Sequence, residues 1–208
     1  MSTFLFSTAY FAPVQYYAHF RQSSDPVIES HEHYIKQTYR NRCIIGAANG
    51  LMSLSVPIDK SNSEKTDIRD VRISGHGHWQ HLHWNSIESA YNSSPFFEYY
   101  ADEIRPFFKK EPGFLFDFNE EIRIKVCELL EISGKAHYSM EYLKDTLLPK
   151  GYQDFREIIH PKKDWREVDT AFMAKPYYQV FEHKFGFQPN LSILDLLFNM
   201  GPESILYL

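Results

Sequence analysis

The sequence has no concentrated block of lysine and arginine, and its formal net charge is -5 at pH 7. Proteins that bind the phosphate backbone of nucleic acids need a concentrated basic face. No apolar run reaches the length of a membrane-spanning helix, and the N-terminal segment through Tyr10 lacks the basic region of a signal peptide. We therefore expect a cytoplasmic protein that binds no nucleic acid and does not insert into a membrane. Small local basic pockets remain compatible with this composition.

Cysteine is scarce, with only two residues in the whole chain. Cys43 and Cys127 are far apart and both lie in apolar segments. This pattern favours buried free thiols in a reducing compartment over a disulfide, and neither cysteine has the spacing of a metal site.

The remaining composition is that of an ordinary globular protein, without internal repeats or low-complexity segments. The chain has 208 residues, of which 43% are hydrophobic and 24% are charged. This length predicts one domain that spans residues 1–208. Strand-like and helix-like segments alternate, which predicts an α/β fold: a single domain with a mixed β-sheet that the first strand begins and that helices cover. We expect the helices to begin near Pro13, Trp79, Pro95, Asp117 and Ser192.

The first strand, loop and helix form one candidate ligand site. Phe4–Tyr10 is apolar and aromatic like a buried strand, and Pro13 suits the start of a helix. In open α/β sheets, ligands bind at the carboxyl ends of strands, and helix N-terminal amides attract anions. The candidate binding side chains are Ser7, Thr8, Tyr10 and Gln15. A plain connection between a strand and a helix is the alternative.

A polar stretch from Lys36 to Arg42 precedes an apolar hairpin whose turn contains Asn49-Gly50. On an extended backbone, Arg40 and Arg42 point to the same face, where their guanidinium groups can hold a phosphate or a carboxylate. The candidate binding residues here are Gln37, Tyr39, Arg40, Asn41 and Arg42. The alternative is a solvated edge strand whose arginines pair with the acidic excess of the chain.

Histidines cluster twice, at His31 and His33 and again between His76 and His83. Neither cluster has a third ligand at a fixed spacing, so we predict no metal site. We interpret the second cluster as the start of a helix on which Trp79 and His83 share a face. Glu32 is a candidate general base or hydroxyl anchor, and His83 is a second candidate for proton transfer.

Several further segments carry specific structural predictions. The alternation of apolar and charged residues over Asp67–Ile73 predicts a half-exposed strand. Ser94 is expected to cap a helix with Pro95 at its first position. Ser192 and Asp195 have the spacing of a capping box, and residues 164–175 are expected to form a loop.

Five segments, taken in order, resemble the WbqC-like family over nearly the whole chain. They are Tyr10-Phe11-Ala12-Pro13, Lys36 through Arg42, Leu54-Ser55-Val56-Pro57, Ser94-Pro95-Phe96-Phe97, and Leu191 through Gly201. The resemblance implies a bacterial protein of surface polysaccharide biosynthesis of the O-antigen type. Within that role, a group-transfer enzyme that acts on an activated or lipid-linked sugar is one hypothesis, and a non-catalytic protein of the same pathway is the other.

The chain departs from the family pattern in two places. Many members begin with His-Gln-Pro and then Tyr-x-Pro-Trp, whereas this chain has Ser7-Thr8-Ala9 followed by Tyr10 through Val14. A histidine general base at the first strand is therefore absent. Members also carry a Tyr-Leu-Ser-Gly element where this chain has residues 158–163, in which His160 or Lys162 can stand in.

Two functions remain open from the sequence. The first is an enzyme that transfers an acyl or aminoacyl group to a nucleotide-activated or lipid-linked sugar. In it, Arg40 and Arg42 hold the phosphate or carboxylate of a small molecule such as a nucleotide-sugar. Gln37, Tyr39 and Asn41 then orient the substrate while Glu32 or His83 moves the proton.

The second is a non-catalytic binding or scaffold protein of the same pathway. Convergence of Arg40 and Arg42 in a cleft with Ser7, Tyr10 and Glu32 favours the enzyme, and a convex arginine surface favours the scaffold. The sequence identifies no cofactor and no oligomeric state.

Overall fold

Among the residues that the structure describes, the main sheet contains four parallel strands. The computed structural model describes residues 2–59 and 65–208. The strands are β1 (Thr3–Ser7), β2 (Val27–Glu29), β3 (Arg42–Ala47), β4 (Gly50–Ser55), β5 (His137–Tyr138) and β6 (Tyr152–Asp154). The sheet order is β5-β2-β1-β6, with Leu5 of β1 opposite Val27 on one side and Asp154 on the other. The order along the sheet therefore reverses between β1 and β6, which is where ligands bind in such sheets.

The antiparallel pair β3 and β4 forms a separate two-stranded sheet. Its turn contains Asn49-Gly50, and the positive φ of +105° at Gly50 suits glycine, so the predicted hairpin is confirmed. Cys43, Ile45 and Ala47 alternate toward the interior of the protein. The α/β class is confirmed, with the parallel and antiparallel pairings in two sheets.

The described residues form seven α-helices around these sheets. They are α1 (Val14–Gln22), α2 (Trp79–Tyr91), α3 (Phe97–Ile104), α4 (Leu115–Leu129), α5 (Trp165–Val168), α6 (Glu182–Phe185) and α7 (Ile193–Met200). Five short 3₁₀ helices occupy Ile68–Asp70, His76–His78, Arg105–Phe108, Asp145–Leu147 and Gly201–Tyr207. In the part of the chain that the structure describes, no helix has both the length and the apolar character needed to cross a bilayer.

A continuous aromatic core joins β1 to the helices. Phe6 is fully buried, and its ring stacks on Phe155, which follows β6, with centroids 5.6 Å apart. Seven of the eight residues of α7 are buried, including the polar Asp195 and Asn199. Cys43 and Cys127 are buried free thiols, as their apolar neighbours predicted.

Three local predictions differ from the structure. Asp67–Ile73 is not a strand, because the Asp67 side chain accepts a hydrogen bond from the Arg69 amide and starts a 3₁₀ helix. Helix α3 begins at Phe97 rather than Pro95, since the Ser94 hydroxyl donates to the Tyr91 carbonyl at the end of α2. Residues 164–175 include α5.

The predicted cap of α7 is half right. The Ser192 side chain caps α7, as expected, by accepting a hydrogen bond from the Leu194 amide. The Asp195 side chain does not complete a capping box, because buried side chains donate to both of its oxygens.

Candidate functional site

The carboxyl ends of three parallel strands meet at one edge of the sheet. Ser7 ends β1, Glu29 ends β2 and Asp154 ends β6. A small pocket of about 10 Å³ opens there, with room for about one water molecule. Its lining includes Ser7, Thr8, Ala9, Tyr39, Arg40, Phe155, Arg156 and Ile159. The pocket thus lies at the reversal of strand order between β1 and β6.

A hydrogen-bonded cluster of Ser7, Glu32 and Arg40 forms the centre of this edge. The Ser7 hydroxyl donates to Glu32 Oε2 at 2.9 Å and accepts from Arg40 Nη2 at 2.7 Å. The guanidinium also donates twice to the carboxylate, from Nε to Oε1 at 2.9 Å and from Nη2 to Oε2 at 2.5 Å. Arg40 and Glu32 are only 2% and 4% exposed, whereas Ser7 is partly exposed. We call these three residues the Ser7 cluster.

The electrostatics of the Ser7 cluster suit a proton acceptor. Burial is the main cause that raises the pKa of Glu32, and hydrogen bonds from Arg40 and Ser7 act against it. The cluster therefore places a carboxylate and a guanidinium on the same partly exposed hydroxyl oxygen. Such an arrangement can hold a polar substrate group, accept its proton and stabilise negative charge.

Thr8 adds an unsatisfied polar atom to the pocket. The residue is fully buried, and its Oγ1 has no hydrogen-bond partner among the described residues. A buried hydroxyl without a partner is costly, so a water molecule or a ligand atom is expected beside it.

A second buried ion pair, between Glu29 and Arg156, supports the same edge. Arg156 Nη1 donates to Glu29 Oε2 at 3.2 Å, and the guanidinium donates further to Asp154 and Asp145. The Ser139 hydroxyl donates to Glu29 Oε1 at 2.5 Å. Sequence reasoning missed this pair, because β6 has only three residues and gives no strand pattern. A charged residue at the end of the buried segment Val27–Glu29 was the available signal.

Exposed residues form the rim of the pocket. Glu157 Oε1 lies 3.9 Å from Arg40 Nη2, and Lys162 donates through Nζ to the Gln37 side chain. Burial lowers the pKa of His160, and its other electrostatic influences include Glu157 and Arg40. The candidate Gln37 and the stand-in residues His160 and Lys162 therefore lie on this rim.

The structure places Tyr10 and His83 in the core, apart from the Ser7 cluster. The Tyr10 hydroxyl lies 2.9 Å from His83 Nδ1, and both residues are buried. Burial lowers the pKa of His83 to about 4, although a backbone hydrogen bond with Ser55 acts in the opposite direction. His83 is thus a neutral core residue at pH 7. None of its described hydrogen bonds reaches Glu32.

Gln15 and the start of α1 are also engaged elsewhere. Gln15 Nε2 donates to Asp169 Oδ2 at 2.6 Å, and His19 Nε2 lies 2.6 Å from the same oxygen. The Val14 amide donates to the Leu191 carbonyl, and the Gln15 amide donates to Asn190 Oδ1. The first amides of α1 therefore contact protein acceptors rather than a free anion site.

The remaining candidates flank the Ser7 cluster. Asn41 Nδ2 donates to the Val56 carbonyl at 2.8 Å and fixes the chain between Arg40 and β3. Arg40 lies in a turn and only Arg42 begins β3, so the two do not share an extended strand. Both guanidinium groups nevertheless lower the pKa of Tyr34, which burial raises.

Tyr39 lines the pocket beside Arg40. Burial raises its pKa to about 12. Its ring is therefore neutral at physiological pH and supplies an apolar wall.

Metal ligands do not converge in the described parts of the chain. Across residues 2–59 and 65–208, no group of three histidine, cysteine, aspartate or glutamate residues could hold a metal ion. His76 and His78 lie in a 3₁₀ helix that leads directly into α2 at Trp79, the helix start that the sequence predicted.

Comparison with known proteins gives one family and one relative. The model of the WbqC-like protein family matches residues 8–154 and 156–207. The "Uncharacterized protein Rv1507c" of Mycobacterium tuberculosis (strain ATCC 25618 / H37Rv) is 28% identical over 199 residues, which cover 84% of this chain and 83% of that protein. No solved structure matches the chain significantly.

Proposed function

The chain belongs to the WbqC-like protein family, and from that premise we propose that it is a group-transfer enzyme of bacterial surface polysaccharide biosynthesis. Its substrate would be an activated or lipid-linked sugar. The observation that carries the proposal is the buried Ser7 cluster at the reversal of strand order. Ligands bind at this position in open parallel sheets, and the cluster holds a base and a cation on one hydroxyl.

Each group of the cluster has a role in this proposal. Arg40, with the rim lysine Lys162, attracts the phosphate or carboxylate of the substrate. Ser7 orients the acceptor group through its hydroxyl, and Glu32 accepts the proton of that group. Gln37 and Tyr39 contact the substrate from the rim and the wall.

The proposed step transfers an acyl or aminoacyl group from an activated donor. An acceptor hydroxyl or amine on the sugar attacks the acyl carbon, and a new C–O or C–N bond forms. The bond between the acyl carbon and the leaving group breaks, and the leaving group departs with the electron pair. The proton of the acceptor goes to Glu32 and then to water, and the leaving group departs unprotonated.

A non-catalytic scaffold of the same pathway fits the site less well. A scaffold surface has no need to bury an arginine and a glutamate to a few percent exposure, because burial of an ion pair costs desolvation energy. The convergence of Arg40 with Ser7 and Glu32 beside a small pocket supports the enzyme. Tyr10 and Arg42 take no part in that convergence.

The test starts with a thermal-shift screen of the purified protein against nucleotide-sugars and coenzyme A thioesters. A ligand that binds only the folded state raises the unfolding midpoint by mass action. We expect a shift with one ligand class and its loss in Ser7→Ala and Glu32→Gln proteins. Product formation from the ligand pair that binds is then followed by mass spectrometry.

Asp195→Asn is the matched control. Asp195, like Glu32, is a buried carboxylate whose pKa is raised chiefly by burial, and none of its side-chain hydrogen bonds reaches the Ser7 cluster. Its variant should keep the ligand shift and the product. The proposal is refuted if Glu32→Gln, while still folded, forms product at the rate of Asp195→Asn.

A further inference from the structure

The opposite edge of the parallel sheet carries a larger cleft that the Ser7 cluster does not use. Pro26 precedes β2 and His137 begins β5, so the cleft lies at the amino ends of these strands. Its volume is about 640 Å³, within the range of about 300 to 1,000 Å³ that is typical of small-molecule sites. We call it the amino-end cleft, and we infer that it binds a small amphiphilic phosphate.

The polar lining of the amino-end cleft is cationic although the protein is acidic overall. Arg21, Arg123 and Lys135 line it, and the acidic residue in its lining is Asp25. Asp25 is engaged with another lining residue, since its Oδ1 lies 3.1 Å from His137 Nε2. Arg123 is paired with Glu120, so the positive charge that favours an anion comes from Arg21 and Lys135.

Arg123 is the fixed cation of the cleft. Its Nε donates to Glu120 at 2.8 Å and its Nη1 donates to the Gly134 carbonyl at 2.9 Å. Its guanidinium carbon also lies 5.0 Å from the centre of the Phe20 ring. The side chain is 4% exposed, so its orientation is set by the protein before any ligand arrives.

Arg21 and Lys135 are the mobile cations. Both are exposed, and among the described residues neither forms an ion pair with a carboxylate side chain. Arg21 donates only long hydrogen bonds, of 3.4 and 3.5 Å, to the main-chain oxygens of Ile205 and Leu208. Both side chains are therefore free to close on a phosphate group.

Apart from Ser23, Ser24 and Ser133, most of the remaining lining is apolar and gives the ligand its second property, an apolar body. Phe20, Ile124, Ile132, Ala136 and Tyr138 contribute to the cleft. Ile124 is 50% exposed, which is high for an isoleucine beside a cavity. A phosphate that carries an alkyl body would bury this surface and meet the cations at its head, whereas inorganic phosphate would use only the cations.

Octyl phosphate is the probe, with inorganic phosphate and octanol as its two halves. Binding is measured by isothermal titration calorimetry on the full chain. We expect saturable binding of octyl phosphate and at least about tenfold weaker binding of each half, since each lacks one of the two contributions. Vesicles that contain an anionic phospholipid distinguish a lipid headgroup from a free organic phosphate.

Two variants test whether the probe binds in the amino-end cleft. Arg21→Gln with Lys135→Gln removes the mobile cations, and Ala136→Trp fills the apolar part. Each should weaken binding of octyl phosphate by about tenfold or more. The control is Arg105→Gln with Lys109→Gln, two exposed cations outside the cleft, because it changes the net charge by the same amount.

Three results overturn the inference. The first is the absence of saturable binding, and the second is equal weakening by the control pair, which would indicate only an effect of net charge. The third is loss of binding in Glu32→Gln but not in the Arg21 and Lys135 variant, because that result would place the phosphate at the Ser7 cluster. The inference does not depend on the proposed enzyme activity.

Discussion

The buried carboxyl group of Asp195 gives the sharpest quantitative prediction. Oδ1 of this residue accepts from the Tyr91 hydroxyl, and Oδ2 accepts from Tyr177 and Gln179, with no cation in the group. Burial raises its pKa from 3.8 to about 6, although the three hydrogen bonds act in the opposite direction. The folded state therefore binds the Asp195 proton more tightly than the unfolded state does.

The sign and the size of the effect follow from linkage. The stabilisation of the folded state that comes from protonated Asp195 is fully present below its unfolded pKa of 3.8. It is lost as the pH rises through about 6. When the pH falls from 7.5 to 5, protonation of Asp195 should increase the free energy of unfolding by about 1.4 kcal/mol. Asp195→Asn removes the titration and should lose this pH dependence, whatever its constant cost in hydrogen bonds.

Urea unfolding followed by tryptophan fluorescence measures the difference between the two proteins. The stability of the native protein relative to Asp195→Asn should increase by about 1.4 kcal/mol when the pH falls from 7.5 to 5. The substitution Asp102→Asn, at an exposed carboxylate, serves as the control for general charge effects. A constant difference between the two proteins across this range, or one of the opposite sign, would show that Asp195 is not held in a desolvated site.

Two other substitutions test the core. His83 titrates with the opposite sign, because burial lowers its pKa from 6.5 to about 4 and the unfolded state takes up the proton first. Relative to His83→Gln, the native protein should lose about 2 kcal/mol of unfolding free energy between pH 7.5 and pH 5, as measured by the same urea titrations. Gly201 has a φ of +55°, and an added Cβ would lie 2.5 Å from the Phe96 ring. Gly201→Ala should therefore cost about 2 to 4 kcal/mol, whereas Gly113→Ala, which meets no atom within 4 Å, should change stability by less than about 1 kcal/mol. Equal midpoints for the two alanine variants would contradict this account.

Local sequence signals predicted the elements whose cause is local. Asn49-Gly50 fixed the hairpin turn, and Pro13 and Ser192 marked the starts of α1 and α7 within one residue. β6 was missed because its three residues form a strand only through pairing with β1, which is a contact between distant segments.

The grouping of the candidate residues was predicted only in part, for the same reason. Ser7, Glu32 and Arg40 were each singled out from their own surroundings, and the structure brings these three together. Tyr10 and Gln15 are close to Ser7 in sequence, but their side chains point to His83 and Asp169. Spacing along the chain cannot distinguish these directions, because they depend on how α1 and α2 pack.

The replacement of histidine by Ser7 constrains the proposed chemistry. A serine hydroxyl does not accept a proton at neutral pH, so the base in direct contact with the pocket hydroxyl is Glu32. Burial raises the pKa of Glu32 above its ordinary value, which suits a general base, while the hydrogen bonds and the charge of Arg40 favour the ionised form. Among the described residues that hydrogen-bond within the cluster, none is a general acid with a proton to give at pH 7 once Glu32 is ionised. We therefore expect a donor whose leaving group departs without prior protonation, such as a thioester, in preference to an amide.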